Sequence, residues 1–371
     1  MFCRRIYVEN FKNIALADVS FCEGTNVLIG ENAQGKTNLL EAIYMTALGK
    51  GFRQGTDRDL IMFDKEYCFI RNEYTDDLRD MEISMRVFAD KRLKRVEQNK
   101  VKVARTSDMV GCFKVVLFCP EHLSVIKEGP ALRRNFLDVA ISQIRPLYMK
   151  SLQRYQVILK ERNALIKVGE ENRFQFDSAI DLFSEQLAVE AATITGYRVR
   201  YIEKLKHYVA SCFKEMTGER ELPEIEYISS SKLSESDCFD TNRCREAYYR
   251  LYSDHHDREI GAGSTLWGIH KDDMEISING NRARIFASQG QQRSLSLALK
   301  LAEGEIIRDE CGGDYPVFLF DDVLSELDSG RREYLLSNLR GKQVILTCCE
   351  KRDINADKLI SVSGGVFTEM K

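Results

Sequence analysis

Two groups of residues in this sequence carry the side chains that phosphate chemistry needs. The first is Gly30-Glu31-Asn32-Ala33-Gln34-Gly35-Lys36-Thr37, which reads G-x-x-x-x-G-K-[ST]. Backbone N–H groups of such a loop, with the positive end of the helix that follows, cradle a β-phosphate. Lys36 would neutralise charge between the β- and γ-phosphates, and the Thr37 hydroxyl would ligate Mg2+. The second group is the pair Asp321-Asp322, which closes the apolar run Val317–Phe320. Asp321 would hold Mg2+ beside Thr37, and Asp322 would polarise the water that attacks the phosphate. The expected ligands are ATP and Mg2+, with Lys36 and Asp322 acting on the reacting phosphoryl group. The bland alternative for the carboxylates is a strand leaving the core into a solvated turn.

These groups need particular elements to hold them. Asn26–Ile29 is an apolar strand running into the loop, and a helix follows with Leu40, Ile43, Tyr44 and Ala47 on one face and Gly49 at its end. A continuous run such as Val317–Phe320 reads as a buried parallel strand, whose C-terminal edge is where α/β sheets place ligands. Lys36 and Asp321 lie near opposite ends of the chain, so an insertion must separate two halves of one sheet domain.

The middle of the chain supplies that insertion. No proline occurs from Leu147 to Leu222. Ile180, Phe183, Leu187, Ala191, Ile194, Ile202, Leu205 and Val209 recur at the helical period, as do Leu152, Tyr155, Leu159 and Ile166. A helical hairpin or small bundle is expected. The flanks read as strands at Arg4–Val8 and Val115–Phe118, and as a hairpin of Glu275–Ile278 and Arg282–Phe286 around Asn279-Gly280. A helix over Ser288–Arg308, another near Ser329–Leu339 and a strand Gln343–Thr347 complete the second flank. The expected fold is α/β, a P-loop ATPase head split by an inserted α-helical lobe. Its parts are residues 1–122 with the loop, 123–262 as the lobe, and 263–371 with the carboxylates.

Composition narrows the setting. Of 371 residues, 44% are hydrophobic and 30% charged, ordinary for a folded soluble protein. No apolar run approaches the roughly 18–20 residues of a membrane span, and Met1–Asn10 lacks the hydrophobic centre of a signal peptide. The eleven cysteines form no C-x-x-C and share no ligand spacing with the histidines, which points to reduced thiols and no zinc site. A cytoplasmic protein with no membrane partner is expected. Net charge is −3, so nucleic-acid binding must rest on local patches. Two candidates exist: Lys91–Arg105, with seven basic residues against one acid, and residues 123–162, with eight against three. The competing reading of both is a solvated hairpin face plus helix-surface pairs such as Arg134/Asp138. Residues 219–259 carry eleven acids against six basic residues and should face away from DNA.

Further motifs give the chain a family likeness. They include Glu9–Asn13, the loop with Asn38–Tyr44 after it, Phe52-Arg53, Pro120-Glu121 and Gly129–Asp138. Gly268–Asp273, Ala287–Arg293 and Asp321–Asp328 follow near the other end. Together they resemble the RecF family of ABC-type ATPases, relatives of the SMC proteins, along essentially the whole chain. SMC insertions run to hundreds of residues, whereas the middle here has room only for a short hairpin. The resemblance implies an ATP-dependent homodimer. Its signature motif would be Ser288-Gln289-Gly290-Gln291-Gln292, with Ser288, Gly290 and Gln291 meeting the γ-phosphate held by the other subunit. Asp328 would belong to a D-loop on the dimer seam.

The resemblance also implies a slow, DNA-stimulated ATPase of recombinational gap repair, replication restart and the SOS response. It would bind DNA that is single-stranded, gapped or at a junction, acting with RecO and RecR and indirectly with RecA. Five positions depart from the family pattern. Ala33 stands for a glycine, Glu128 for another, Ile269 and Lys271 interrupt the usual Gly-Pro-His-Arg-Asp-Asp, and Thr347 stands where transporter ATPases carry a histidine. Two rivals remain. A nucleotide-binding subunit of a membrane transporter fits neither the insertion nor Thr347, and a nuclease-associated defence ATPase lacks chain for a nuclease module after Asp328.

Overall fold

The computed structural model describes residues 1–76, 79–90, 94–169, 171–218, 221–349 and 355–370. Lys91, Arg92 and Leu93 of the first basic cluster lie outside the described residues. The chain divides into two compact units, Met1–Ser124 with Ser296–Lys371, and Val125–Leu295.

The N-terminal half begins with β1 (Phe2–Phe11) and β2 (Ile14–Ser20), then β3 (Thr25–Ile29) and α1 (Lys36–Leu48). In β1 the side chains of Cys3, Ile6 and Val8 are buried while Arg5 is exposed and Tyr7 and Glu9 are half-buried, the period-two pattern of a one-sided strand. An antiparallel meander follows: β4 (Tyr67–Asp76), β5 (Arg79–Phe88), β6 (Lys94–Gln98) and β7 (Val101–Lys102). With β1 and β2 it makes a six-stranded sheet in the order β2-β1-β4-β5-β6-β7. α1 packs on β1 and β4. The half ends at β8 (Val115–Phe118).

The second unit opens with α2 (Pro130–Ile144) and α3 (Pro146–Val168), which Pro146 divides by taking the first position of the later helix. α4 (Arg173–Thr217) runs for 45 residues and packs against α3, which is the expected hairpin. Its long apolar stripe lacks an interior proline to stop it. β9 (Pro223–Ile228), α5 (Thr241–Ser253), α6 (His256–Ala262), β10 (Asp273–Ile278) and β11 (Asn281–Arg282) follow.

Two expectations are corrected here. β9 pairs with β10 in a three-stranded sheet, so the lobe is not purely helical and extends to Leu295 instead of ending at residue 262. The turn Asn279-Gly280 does form a hairpin, both residues having positive φ, +51° and +75°, but its second arm is two residues long. Ala283–Phe286 is a helical turn, α7, in which only Ala283 is buried.

Several arginines expected on the lobe surface are structural. Arg162 is fully buried, bonds Glu259 at 2.6 Å and Thr265 at 2.8 Å, and lies over the Tyr252 ring. Removing either partner of such a pair strands a buried charge, at about 3–5 kcal/mol. Arg133 makes a two-pronged contact with Asp273, both bonds 2.8 Å. The surface pair Arg134/Asp138 does not form: Arg134 donates to the Asp272 carbonyl, and Asp138 accepts from Arg198 and Tyr148.

The C-terminal half starts inside α8 (Gln289–Glu310), which begins in the second unit, and continues with β12 (Val317–Phe320) and α9 (Ser329–Asn338). β13 (Val344–Cys348), β14 (Lys358–Ser363) and β15 (Val366–Met370) close the chain. The second large sheet has the order β15-β14-β3-β13-β12-β8, parallel from β14 to β8. β8 and β12 are buried at every position, which is why both read as unbroken apolar runs. β13 lies between β3 and β12, and so brings Thr347 between the glycine-rich loop and the carboxylates.

Candidate active site

The glycines of the loop answer to two different demands. A Cβ on Gly30 would stand 2.1 Å from the Val362 carbonyl oxygen, so the backbone passes β14 only without a side chain. Gly35 has φ +111°, which L-residues avoid, and precedes the first residue of α1. Ala33, the departure from the family pattern, has φ +63° and so bears the cost of about 1 kcal/mol that a Cβ meets in the left-handed region.

What holds this strained loop is a residue that sequence reasoning does not single out for the site. Asn13 Nδ2 donates to the Ala33 carbonyl at 3.0 Å, while its Oδ1 accepts from Asn38 Nδ2 at 2.7 Å. From the other side, Gly365 N–H donates to the Gln34 carbonyl and Gly364 N–H to Gln34 Oε1. Asn32 Oδ1 accepts from the exposed Cys349 thiol at 3.0 Å. Asn13→Ala removes both Asn13 bonds, each worth about 0.5–1.5 kcal/mol, and should weaken ATP binding about tenfold without lowering the unfolding midpoint appreciably. Titration of a fluorescent ATP analogue beside thermal unfolding checks this. An unchanged affinity would show that the loop holds its shape without Asn13.

The residues expected to act on a phosphate converge on the ends of three strands. Lys36 Nζ donates to the carbonyls of Gly30 and Glu31 at 2.5 and 2.7 Å. Thr37 Oγ1 donates to Asp321 Oδ1 at 2.6 Å, and Thr347 Oγ1 donates to the same oxygen at 3.2 Å. The Thr347 hydroxyl also accepts the Asp322 N–H at 2.9 Å. Arg53, marked only by the family likeness, sits 3.9 Å from Asp321 Oδ2. Burial pushes the Asp321 carboxyl above its ordinary pKa, and the Thr37 hydrogen bond and the Arg53 charge pull it back. Asp322 is exposed with φ +53°, which swings its carboxylate out of the strand direction at the end of β12.

A cleft of about 370 Å³ is lined by Lys12, the loop from Asn32 to Asn38, Arg53, Asp322 and Thr347. A larger cleft, about 440 Å³ around Met1, Arg79 and Lys114, includes neither the loop nor the carboxylates. Thr37 and Asp321 offer hard oxygens, the donor type Mg2+ takes when phosphates and water complete its shell. Among the described residues no group of three His, Cys, Asp or Glu side chains could hold a metal by itself. The donor set therefore fits a nucleotide-bound Mg2+.

The remaining expected site residues lie elsewhere. Ser288, Gly290 and Gln291 belong to the second unit, at the start of α8. Ser288 N–H donates to Gln291 Oε1 at 2.7 Å and Gln291 N–H to Ser288 Oγ at 3.2 Å, a capping box, and Gln291 Nε2 also donates to Glu221. Asp328 caps α9 by accepting the Arg331 N–H at 2.9 Å, a bond that holds its carboxyl below the usual range. Glu128 lends its carbonyl to Arg133 at 2.6 Å, ahead of a Gly129 in ordinary extended geometry.

A mainly parallel sheet, a glycine-rich loop tied by a threonine to a carboxylate at a neighbouring strand's end, and a chain divided by an inserted unit define an ABC-type ATPase head of the SMC kind. The family model described as RecF/RecN/SMC N terminal domain matches residues 2–366. Within that class, the chain belongs to the RecF family. It is 37% identical over 342 residues to the DNA replication and repair protein RecF of Bacillus cereus strain G9842, covering 92% of this chain and 90% of that one. It is also 37% identical over 360 residues to RecF of Bacillus mycoides, covering 97% of this chain and 95% of that one. The solved structure of the recombination mediator protein RecF with ATP, in the RecFOR pathway, superposes with TM-score 0.93 at 35% identity, over 100% of this chain and 98% of that one. The Smc head domain of Pyrococcus furiosus, at 18% identity and TM-score 0.56, shares the fold over 100% of this chain and 96% of that one. Nothing in these matches supports the transporter-subunit alternative.

Proposed function

We propose that this ATPase binds ATP with Mg2+ and closes as a homodimer on DNA during gap repair and replication restart. The observation that carries the reading is the 2.6 Å hydrogen bond from Thr37 to Asp321, joining loop and carboxylate across the sheet. The residues from Gly30 to Thr37 hold the phosphates, and Lys36 lies against the transferred one. Thr37 and Asp321 hold Mg2+, which when bound offsets charge on the phosphates. Asp322 orients the attacking water. Ser288, Gly290 and Gln291, at the positive end of α8, meet the γ-phosphate of the partner subunit, and Asp328 lies on the seam.

Hydrolysis is slow, is stimulated by DNA, and serves release. The DNA is single-stranded, gapped or at a junction, and RecR and RecO act with the clamp to help RecA load, with SOS induction following. The protein works in the cytoplasm without a membrane. Of the basic cluster at residues 123–162, Lys127, Lys150 and Lys160 are exposed for phosphates, whereas Arg133 and Arg162 are buried in ion pairs and the exposed Arg154 is paired with Glu190.

The test is Ser288→Arg. It should leave ATP binding to the monomer within about twofold while abolishing ATP-dependent dimerisation and hydrolysis, because the added bulk stands at the seam and not in the chain's own loop. Sedimentation with and without ATP, with DNA binding measured alongside, reads this directly. A fall in monomer ATP affinity would argue against action across the dimer.

A further inference from the structure

β1, β4, β5 and β6 bury one face on the core, with Ile6, Ile70, Met85 and Val96 all nearly inaccessible. Their other face is open to solvent, and its registers place Phe69 opposite Arg86 and Arg86 opposite Arg95. Tyr67 stands opposite Phe88 in the adjoining row. The Arg86 guanidinium lies over both the Tyr67 and Phe69 rings, 5.1 and 5.2 Å from their centroids, and Arg95 lies 5.4 Å over Phe88.

Charge on this face is unevenly settled. Of the carboxylates nearby, Asp18 pairs with Arg5, Glu9 accepts from the Tyr67 hydroxyl and Glu73 is 3.6 Å from Arg71, while Glu82 and Glu97 stand on the same face opposite Glu73 and Ser84, not opposite an arginine. Arg86 and Arg95 are exposed, and among the described residues neither makes an ion pair. Two like charges directly opposite on a sheet repel, so the bare face bears a cost that an anion would remove. A guanidinium held over a ring keeps N–H donors for a phosphate, and the ring beside it offers a surface to a base. An acidic peptide would meet the charges but leave the flat surfaces unused. A duplex keeps its bases stacked inside.

We propose that the open face of this sheet binds single-stranded nucleic acid, Arg86 and Arg95 gripping phosphates and the Tyr67–Phe69–Phe88 floor supporting unpaired bases. The proposal rests on the DNA-binding reading above and gives it a surface. The probes are an oligothymidylate of about 16 nucleotides, its abasic counterpart and a polyglutamate competitor. Arg86→Ala/Arg95→Ala should weaken oligothymidylate binding 10- to 100-fold at about 0.1 M salt and make the log–log salt slope shallower by about 1.4. Phe69→Leu should cost about tenfold with oligothymidylate, nothing with the abasic strand, and leave the slope unchanged. Both variants should keep wild-type ATP affinity and ATP-dependent dimerisation, which also verifies their folding; Arg95→Gln, the mildest change, should show half the slope effect. Wild-type affinity and slope in the double variant, while the wild type binds DNA, would overturn this face alone. Polyglutamate competing as well as oligothymidylate would overturn it in favour of a protein partner. A wild type that binds no DNA with or without ATP would overturn the function proposed above together with this surface.

Discussion

Replacing Lys36 by alanine is expected to weaken ATP binding about 10- to 150-fold and to abolish ATP-dependent dimerisation. The side chain is only 7% exposed, so its charge acts in a site with little water to screen it. A charge-assisted contact of that kind is worth about 1.5–3 kcal/mol, which gives the expected range. Its hydrogen bonds to Gly30 and Glu31 bend the ammonium back across the loop, along the path a phosphate chain would take. The variant therefore loses a phosphate contact and a tie within the loop together. Nucleotide titration separates these effects when compared with Lys36→Arg, which keeps charge but cannot repeat the compact ammonium geometry. Dimerisation of Lys36→Ala with ATP at wild-type protein concentrations would refute the assignment of this loop.

The parts of this molecule that are legible in the sequence are those whose chemistry is local. β8 and β12 fall on Val115–Phe118 and Val317–Phe320, as their composition predicts, because strands buried on both faces need an unbroken apolar run. α1 ends at Gly49, φ +72°, because the left-handed cap favours glycine. The loop can be read because four of its positions, Gly30, Gly35, Lys36 and Thr37, admit few residue types. β9 escapes such a reading although Glu224-Ile225-Glu226-Tyr227 alternates. Its acidic setting resembles a solvated stretch, and its partner β10 lies beyond two helices. The lobe boundary follows the same error. The arginines of residues 123–162 mislead for another reason: a buried guanidinium and an exposed one have the same letter, and only tertiary partners such as Glu259 distinguish them. Asn13 escapes as a site residue because its role, bracing Ala33 and Asn38, depends on a turn meeting a loop distant in sequence.

Asp322→Asn is expected to leave ATP-dependent dimerisation and DNA binding intact, to slow hydrolysis by about a hundredfold or more, and to prolong residence on DNA. The substitution is a clean one, since asparagine accepts the left-handed backbone that Asp322 adopts at φ +53°. It keeps the side-chain size and removes only the charge that would draw a proton from water, a contribution of about 10²–10⁴ in rate. The wild type should itself be slow, well below the median enzyme turnover of about 10 s⁻¹. Two features point that way. Many ABC ATPases carry glutamate at this position; an aspartate is one methylene shorter, and a displacement of about 1 Å can cost a hundredfold. Thr347, on the strand between loop and carboxylates, spends its hydroxyl on the Asp321 carboxylate and the Asp322 N–H, and has no imidazole to offer a γ-phosphate. ATP held for long intervals suits a clamp that must persist while other proteins act, with hydrolysis reserved for letting go. Single-turnover hydrolysis and dissociation from labelled DNA should slow together in Asp322→Asn. A wild-type turnover of tens per second without any partner would exclude the clamp and indicate a motor.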